Sequence, residues 1–201
     1  MRRVVVLALL AVALPMAAWA DGISLTNQYG TLSISAAGIT STLSHLQSFN
    51  GITAPPGHSL GTVSFSTGAL ISGSLAAGGV FSATGSSFIV TGSGNYGEPK
   101  GTIFSGSFVG PIDWTLTSPP GSKNLTYTLS GEIQGMLYNG HMVTGTTTQT
   151  IFTVGQQLTQ GIGHIRVGTT SVAVPEPGTL GLLGTGLVGI AGIFRRKIIG
   201  G

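Results

Sequence analysis

The stretch Leu125-Thr126-Tyr127-Thr128-Leu129-Ser130 decides the fold, because apolar and polar side chains alternate along it without a break. The same parity continues to Ile133 and Leu137 on the apolar side. A period of two, with β-branched and aromatic residues, is typical of a strand that has one buried and one solvent-facing side. We therefore expect a half-buried strand here, with its apolar side chains in a core.

The same alternation recurs along the middle of the chain, between turn signals that are rich in Gly, Pro and Asn. We expect strands at Ile23–Thr26, Thr31–Ser35, Gly61–Ser66, Ala69–Leu75, Val80–Ala83, Ser87–Thr91, Thr102–Val109, Ile112–Leu116, Met142–Val154 and Ile162–Ser171. The turn signals are Asn50-Gly51, Pro55-Pro56-Gly57, Gly78-Gly79, Gly94-Asn95, Pro119-Pro120-Gly121 and Asn139-Gly140, of which the last gives the clearest hairpin. The pattern predicts an all-β fold, an antiparallel sandwich or barrel-like sheet of about ten short strands.

Two features leave alternatives open. A Phe-Ser-(x)-Thr-Gly fragment occurs at residues 65–68 and again at 81–85, which keeps a solenoid as an alternative architecture. The threonine-rich run Thr144–Thr150 is compatible with a flexible stalk, but the alternating residues beside it favour a folded sheet. Such a sheet would carry hydroxyls on its outer face, and hydroxyls can hydrogen-bond water or sugars without a charge.

The composition argues against several classes of protein. Only 6% of the residues are charged, against about 25% in typical soluble domains, which disfavours a coiled coil and a charged disordered tail. Lys100, Lys123 and Arg166 are the only Lys or Arg residues between positions 21 and 173, so no basic cluster exists there for nucleic acid. The absence of Cys excludes disulfides, thiolate metal sites and a cysteine nucleophile.

The first twenty residues predict a secretory signal peptide. Arg2 and Arg3 precede the apolar run Val4–Leu14, and Ala18-Trp19-Ala20 follows as a small-x-small cleavage site. We expect cleavage between Ala20 and Asp21, with a buried amino-terminal helix or an uncleaved anchor as the alternative. The apolar run is too short to span the hydrocarbon core, which is about 30 Å thick.

The last 28 residues predict a membrane segment. No charge interrupts Gly178–Phe194, and Arg195, Arg196 and Lys197 follow at once. A helix of this length spans about 25 Å, and the positive-inside bias would keep its basic end in the cytoplasm. We therefore divide the chain into a signal peptide (1–20), a Ser/Thr/Gly-rich β domain (21–173) and a tail (174–201).

The order Val174-Pro175-Glu176-Pro177, glycine-rich apolar helix and basic cluster resembles the PEP-CTERM sorting tail of exported bacterial proteins. The resemblance covers residues 174–197, about an eighth of the chain. It implies recognition of Pro175, Glu176 and Pro177 by an exosortase, which is a membrane processing enzyme. It further implies a transient anchor in the inner membrane, then transfer to the cell surface or beyond. The family context is bacteria that make exopolysaccharide, which makes exopolysaccharide a further candidate partner. A plain single-pass anchor without processing is the alternative.

The middle of the chain offers little catalytic chemistry. Asp113 and Glu132 occupy polar positions in the alternating patterns of two separate strands, so we expect both to be solvated. Glu98 lies in a turn. The histidines show neither HxH nor HExxH spacing; they are His45, His58, His141 and His164, of which we expect His58 and His141 to be exposed. We predict no enzyme, no catalytic residue, no metal site and no cofactor.

Sugar binding is the remaining site hypothesis, because aromatic faces stack on sugar rings. The aromatic residues available are Trp114, Tyr96, Tyr127 and Tyr138. By parity Trp114 and Tyr127 belong to the core, whereas Tyr96 and Tyr138 lie near turns. We therefore expect a structural protein of the cell envelope or extracellular matrix, with a secreted carbohydrate-binding module on the same tail as the alternative.

Overall fold

The computed structural model describes residues 22–119, 122–154 and 160–173. In this part the chain forms twelve strands and no helix. The strands are β1 (Gly22–Gln28), β2 (Thr31–Ser35), β3 (Gly38–Phe49), β4 (Ile52–Thr53), β5 (Gly61–Ser66), β6 (Leu70–Ser74), β7 (Gly78–Phe81), β8 (Ser87–Gly92), β9 (Gly101–Leu116), β10 (Asn124–Leu137), β11 (Met142–Val154) and β12 (Gly161–Ala173). The helices expected at 1–20 and 178–194 lie outside the described residues. Within the described ranges no helix is long and apolar enough to cross a membrane.

Eight of the strands close into an antiparallel barrel. Each is hydrogen-bonded to the next in the order β1, β3, β5, β8, β9, β10, β11 and β12, and β12 pairs with β1 to complete the circle. The prediction of an all-β antiparallel fold is confirmed, and of the two architectures expected it is the barrel. The solenoid alternative is wrong, because the strands form one sheet closed on itself.

The remaining strands are additions to this barrel. β2 continues the position of β1, because both pair with β12 on one side and β3 on the other. β4 forms a hairpin with β3 through Asn50-Gly51, whose φ values of 46° and 85° are those of the two-residue turn that Asn-Gly favours. β6 and β7 form a hairpin that is attached to β9.

The core fills the inside of the barrel with the apolar side of each strand. The alternation in β10 is confirmed: Leu125, Tyr127 and Leu129 are buried, as are Ile133 and Leu137. The largest fully buried side chains are Trp114, Tyr127, Phe65, Phe81, Phe88 and Phe104. These aromatic rings bury the most apolar area per residue and dominate the packing energy.

Two of these rings also fix the β6–β7 hairpin to the barrel. Trp114 and Tyr127 are stacked with their ring centroids 4.4 Å apart. Trp114 Nε1 donates to the Leu75 carbonyl and the Tyr127 hydroxyl donates to the Ala76 carbonyl, each at 2.9 Å. Burial raises the pKa of the Tyr127 hydroxyl. The turn of the hairpin, Leu75–Ala77, is thereby held by both polar tips.

The strand boundaries agree with the prediction except at irregular places. β3 was not expected, because its inward positions include Ser41 and Ser44 instead of apolar residues, and its register with β5 shifts between them. The strands expected at 102–109 and 112–116 are one strand, β9, which passes Gly110 at a φ of 79°. Gly78-Gly79 opens β7 and does not form the turn. The Asn139-Gly140 hairpin between β10 and β11 is confirmed.

Candidate binding surface

The outer face of β11, β12 and β1 carries a regular set of hydroxyls, which we call the hydroxyl patch. It arises because the period of two that directs apolar residues inward directs Ser and Thr outward. Cross-strand partners form two rows, Ser24–Ser171–Thr146 and Thr26–Thr169–Thr148. These six residues line a shallow depression of about 150 Å³. Thr144–Thr150 is therefore part of a folded sheet, as predicted, and is not a stalk.

An open cleft continues from the hydroxyl patch on the same three strands. Its volume is about 590 Å³, and we call it the Tyr29 cleft. It is lined by Gln28, Tyr29, Phe152, His164, Ile165 and Arg166. His164 is the cross-strand partner of Phe152, so both side chains come from the regular part of the β11–β12 pair.

Backbone irregularities shape this cleft. Arg166 is an extra residue in β12, where the register with β11 shifts between Thr150 and Ile151. At the junction of β1 and β2, Tyr29 has a φ of 65°, which non-glycine residues rarely adopt. β-bulges redirect side chains and are common at the rims of barrels.

Gly30 follows Tyr29 at a crowded position. A Cβ on Gly30 would lie 2.7 Å from Ser44 Cβ and 2.9 Å from Ile165 Cδ1, so only glycine fits there. The Tyr29 N–H donates to the Ile165 carbonyl at 3.0 Å, which holds the bulge against β12. The Tyr29 side chain is consequently projected outward and is 69% exposed. Its ring contacts the His45 ring in a T-shaped arrangement, with centroids 6.1 Å apart.

Arg166 gives the cleft a positive charge. It is exposed, and no carboxylate of the described residues lines the cleft. The described ranges contain two other Lys or Arg residues, and neither of them lines the cleft; they are Lys100 and Lys123. The cleft therefore combines the guanidinium of Arg166, the rings of Tyr29 and Phe152, and hydrogen-bonding groups.

A buried polar network lies inside the barrel beneath this surface. Asn27 Nδ2 donates to Gln149 Oε1 at 3.0 Å and to Ser44 Oγ at 2.8 Å. Gln149 Nε2 donates to Thr147 Oγ1 at 2.9 Å, and Thr147 Oγ1 is 2.8 Å from Thr170 Oγ1. The polar groups of this network are paired with each other, so it holds the strands together and leaves no group directed at a ligand.

Glu98 is a second buried polar feature, in the loop between β8 and β9. Its carboxylate accepts hydrogen bonds from Ser93 Oγ at 2.6 Å and from the N–H groups of Asn95 and Tyr96 at 3.0 Å. Burial raises its pKa, but these hydrogen bonds outweigh burial and lower the pKa of Glu98 from 4.5 to about 2. The carboxylate therefore organises its own loop, and its burial was not expected from its place in a turn.

The other two carboxylates of the described residues belong to neighbouring strands. Asp113 and Glu132 are exposed on the outside of β9 and β10. Asp113 is the cross-strand partner of Ser130, whereas Glu132 is that of Val109. Both solvated positions agree with the prediction from strand parity.

The four histidines are exposed. The exposure expected for His58 and His141 is confirmed. His45 contacts Tyr29, and His58 contacts Tyr96 with ring centroids 6.1 Å apart. Among the described residues no three His, Cys, Asp or Glu side chains are grouped so that they could hold a metal ion.

The aromatic candidates divide as parity predicted. Trp114 and Tyr127 are buried, whereas Tyr96 and Tyr138 are 37% and 57% exposed. Tyr29 was missed, although it is more exposed than any of them. The available signal was a Tyr-Gly pair between two strand patterns, since a break with glycine inside such a pattern indicates a bulge.

The residues of the predicted sorting tail and of the signal cleavage site lie outside the described residues. They are Ala18, Ala20, Asp21, Val174, Pro175, Glu176, Pro177, Arg195, Arg196 and Lys197. Residues 173–197 match the PEP-CTERM protein-sorting motif, which confirms the resemblance for this segment. The motif implies an exported protein that is sorted by an exosortase. No curated protein and no solved structure matches this chain.

Proposed function

We propose that this chain is a non-enzymatic protein of the bacterial cell envelope or extracellular matrix, and that its barrel acts by binding. The sorting motif supplies the route, because an exosortase substrate is exported before it is processed. The barrel would be the part that remains at the cell surface or in the matrix, after a transient anchor in the inner membrane has been removed.

The hydroxyl patch is the observation that carries this proposal. Its six side chains come from three neighbouring strands and include no charged group. Such a surface exchanges hydrogen bonds with water or with the hydroxyls of a polysaccharide. It therefore suits a protein that works in a hydrated matrix.

The proposed absence of catalysis is supported by the exposed positions of the two best acid and base candidates. Asp113 and Glu132 face solvent, whereas a general acid or base has to lie within hydrogen-bonding reach of a bound substrate. We expect the double variant Asp113→Asn, Glu132→Gln to be exported and deposited like the wild type. A glycan-degrading activity that this variant loses while it remains folded would overturn the non-enzymatic function.

Fractionation in the native host tests the proposed fate of the protein. The intact mass and the cell fraction of the protein are compared in strains with and without the exosortase. We expect a shorter form at the cell surface or in the matrix when the enzyme is present, and a longer membrane-bound form when it is absent. The same mass and the same location in both strains would contradict the proposal.

A second candidate function is carbohydrate binding by a module on the same tail. The Tyr29 cleft favours it, because an exposed ring, an amide and a guanidinium lie next to a hydroxyl surface. Binding of the purified protein to polysaccharide isolated from its own host tests this function. A protein that does not sediment with the polysaccharide at any salt concentration would argue against it.

A further inference from the structure

We infer that the Tyr29 cleft binds a carboxylated sugar unit of an acidic polysaccharide, with the neighbouring units of the glycan on the hydroxyl patch. This inference rests on the second candidate function and names its ligand class. Three features of the surface lead to it: the charge in the cleft, the rings beside that charge, and the continuity of the cleft with the hydroxyl patch.

The charge selects a carboxylate. The guanidinium of Arg166 is planar and presents paired N–H donors that match the two oxygens of a carboxylate. No carboxylate of the described residues lines the cleft, so a ligand carboxylate would meet no like charge there. His164 and Gln28 add hydrogen-bonding groups to the same cleft.

The rings select a ligand with a flat apolar face. Tyr29 is 69% exposed while it holds a left-handed backbone conformation, which the hydrogen bond from its N–H to the Ile165 carbonyl maintains. Strained residues of this kind are found at ligand-binding sites, where the surrounding structure maintains them. Phe152 lies in the same cleft and adds a second ring, so a sugar ring can stack there.

The surface is longer than one sugar unit. The outward side chains along β12 run from His164 through Arg166 and Thr169 to Ser171. At about 3.3 Å per residue, this is a path of about 23 Å. The cleft accounts for one end of the path and the hydroxyl patch for the other. An extended glycan, with its carboxylate in the cleft and its neutral hydroxyls on the patch, would use all of it.

A binding experiment with matched ligands tests this assignment. The intact chain is titrated with a short oligogalacturonate, with the methyl ester of the same oligomer, and with free galacturonic acid. The ester retains the rings and hydroxyls, whereas a methyl group replaces the negative charge of each carboxylate. We expect the acid to bind about 10- to 100-fold more tightly than the ester, as one charged hydrogen-bonded contact would give. We expect the oligomer to bind more tightly than the free sugar.

Two variants locate the contact. Arg166→Gln should reduce the affinity for the acid to the affinity for the ester. Lys123→Gln is the control: it removes the same charge outside the cleft, and it should change neither the affinity for the acid nor the affinity for the ester. Tyr29→Asn removes the ring and places a residue that tolerates the left-handed conformation, so the fold is kept. This variant should weaken the binding of acid and ester alike, with thermal unfolding as the check on folding.

Each result separates this inference from the proposed functions. Equal affinity for acid and ester, or an Arg166→Gln variant that binds the acid like the wild type, overturns the inference. If the wild type then still binds the ester, carbohydrate binding stands without the acidic ligand. If it binds no glycan at all, the second candidate function is also lost, while the envelope or matrix role is decided separately by fractionation.

Discussion

The side-chain amides of Asn27 and Gln149 hydrogen-bond to each other across Gly168 inside the barrel, with donor to acceptor distances of 3.0 and 3.4 Å. The three residues are cross-strand partners on β1, β12 and β11. A Cβ at Gly168 would overlap Gln149 Oε1 and Asn27 Oδ1, so the glycine leaves the space in which the amides meet. The pair thus joins the first and the last two strands at the place where the barrel closes.

A double-mutant cycle measures the contribution of this pair to stability. Each single variant, Asn27→Ala or Gln149→Ala, leaves buried polar groups without partners and should lower the free energy of unfolding by about 1–3 kcal/mol. The double variant should lose less than the sum, because the two amides depend on each other, with a coupling of about 0.5–3 kcal/mol. Urea unfolding gives the three values. Strict additivity would show that the two amides act independently.

Ser41 and Ser44 provide a matched comparison within β3. Both are buried, but Ser44 Oγ accepts from Asn27 and donates to the Gln28 carbonyl, whereas Ser41 Oγ has no hydrogen-bond partner among the described residues. Ser44→Ala should therefore cost about 1–3 kcal/mol, because it removes one acceptor of the Asn27 amide and one donor to the Gln28 carbonyl. Ser41→Ala should be neutral or stabilising. Equal destabilisation by both variants in urea unfolding would contradict this difference.

Glu98 should make the stability of the protein depend on pH in the acid range. Its pKa is lowered from 4.5 to about 2 in the folded state, so the folded state favours the carboxylate. The stabilisation is present above pH 4.5 and is lost as the pH falls through about 2. Glu98→Gln retains one carbonyl oxygen but turns an NH₂ group toward backbone donors. We expect it to cost about 1–3 kcal/mol at pH 7.

The difference between Glu98→Gln and the wild type should shrink as the pH falls from 4.5 and disappear below about 2, where the Glu98 side chain is neutral as well. Chemical unfolding at a series of pH values measures it. Glu132→Gln, an exposed carboxylate on β10, is the matched control and should follow the wild type throughout. A cost of Glu98→Gln that is the same at pH 7 and at acid pH would mean that packing, and not the charge, accounts for the effect.

The sorting motif should be sensitive to the identity of its side chains. Replacing Pro175, Glu176 and Pro177 by Ala-Gln-Ala keeps a flexible connection but removes the stiffness and the carboxylate. We expect export to continue while a longer, membrane-bound form accumulates, as shown by the mass of the protein in each cell fraction. If the variant reaches the extracellular fraction with the mass of the wild type, the tail is a plain linker or anchor.

The regular strands were predictable because each depends on a local pattern. In β10 the alternation of Leu125, Tyr127 and Leu129 with polar residues predicts both the strand and the buried side. β5 and β11 were predicted with their observed ends for the same reason. The Asn139-Gly140 hairpin likewise depends on a local signal, because Gly140 adopts the φ of 81° that its turn requires.

The irregular and long-range features were not predictable from local patterns. β3 turns two serines inward and changes register, so it shows no period of two. Whether the strands form a sandwich or a barrel depends on the pairing of β1 with β12, which are the first and last strands of the described residues. The conformation and exposure of Tyr29 are likewise irregular and depend on distant residues, because its bulge exists only where β1, β2 and β12 meet. The cleft could therefore be identified only from the tertiary structure.

The pairing of the first strand with the last also decides when the binding surface comes into existence. Asn27 and Gln149 are 122 residues apart, and the hydroxyl patch and the Tyr29 cleft are both assembled from β1, β11 and β12. Contacts between such distant segments are slow to form, because a long loop has to close before they contribute. β1 therefore has to wait for β12, which is the last strand among the described residues. A chain of which β12 has not yet been translated or translocated has no assembled cleft, so the proposed glycan could bind only after β12 has emerged.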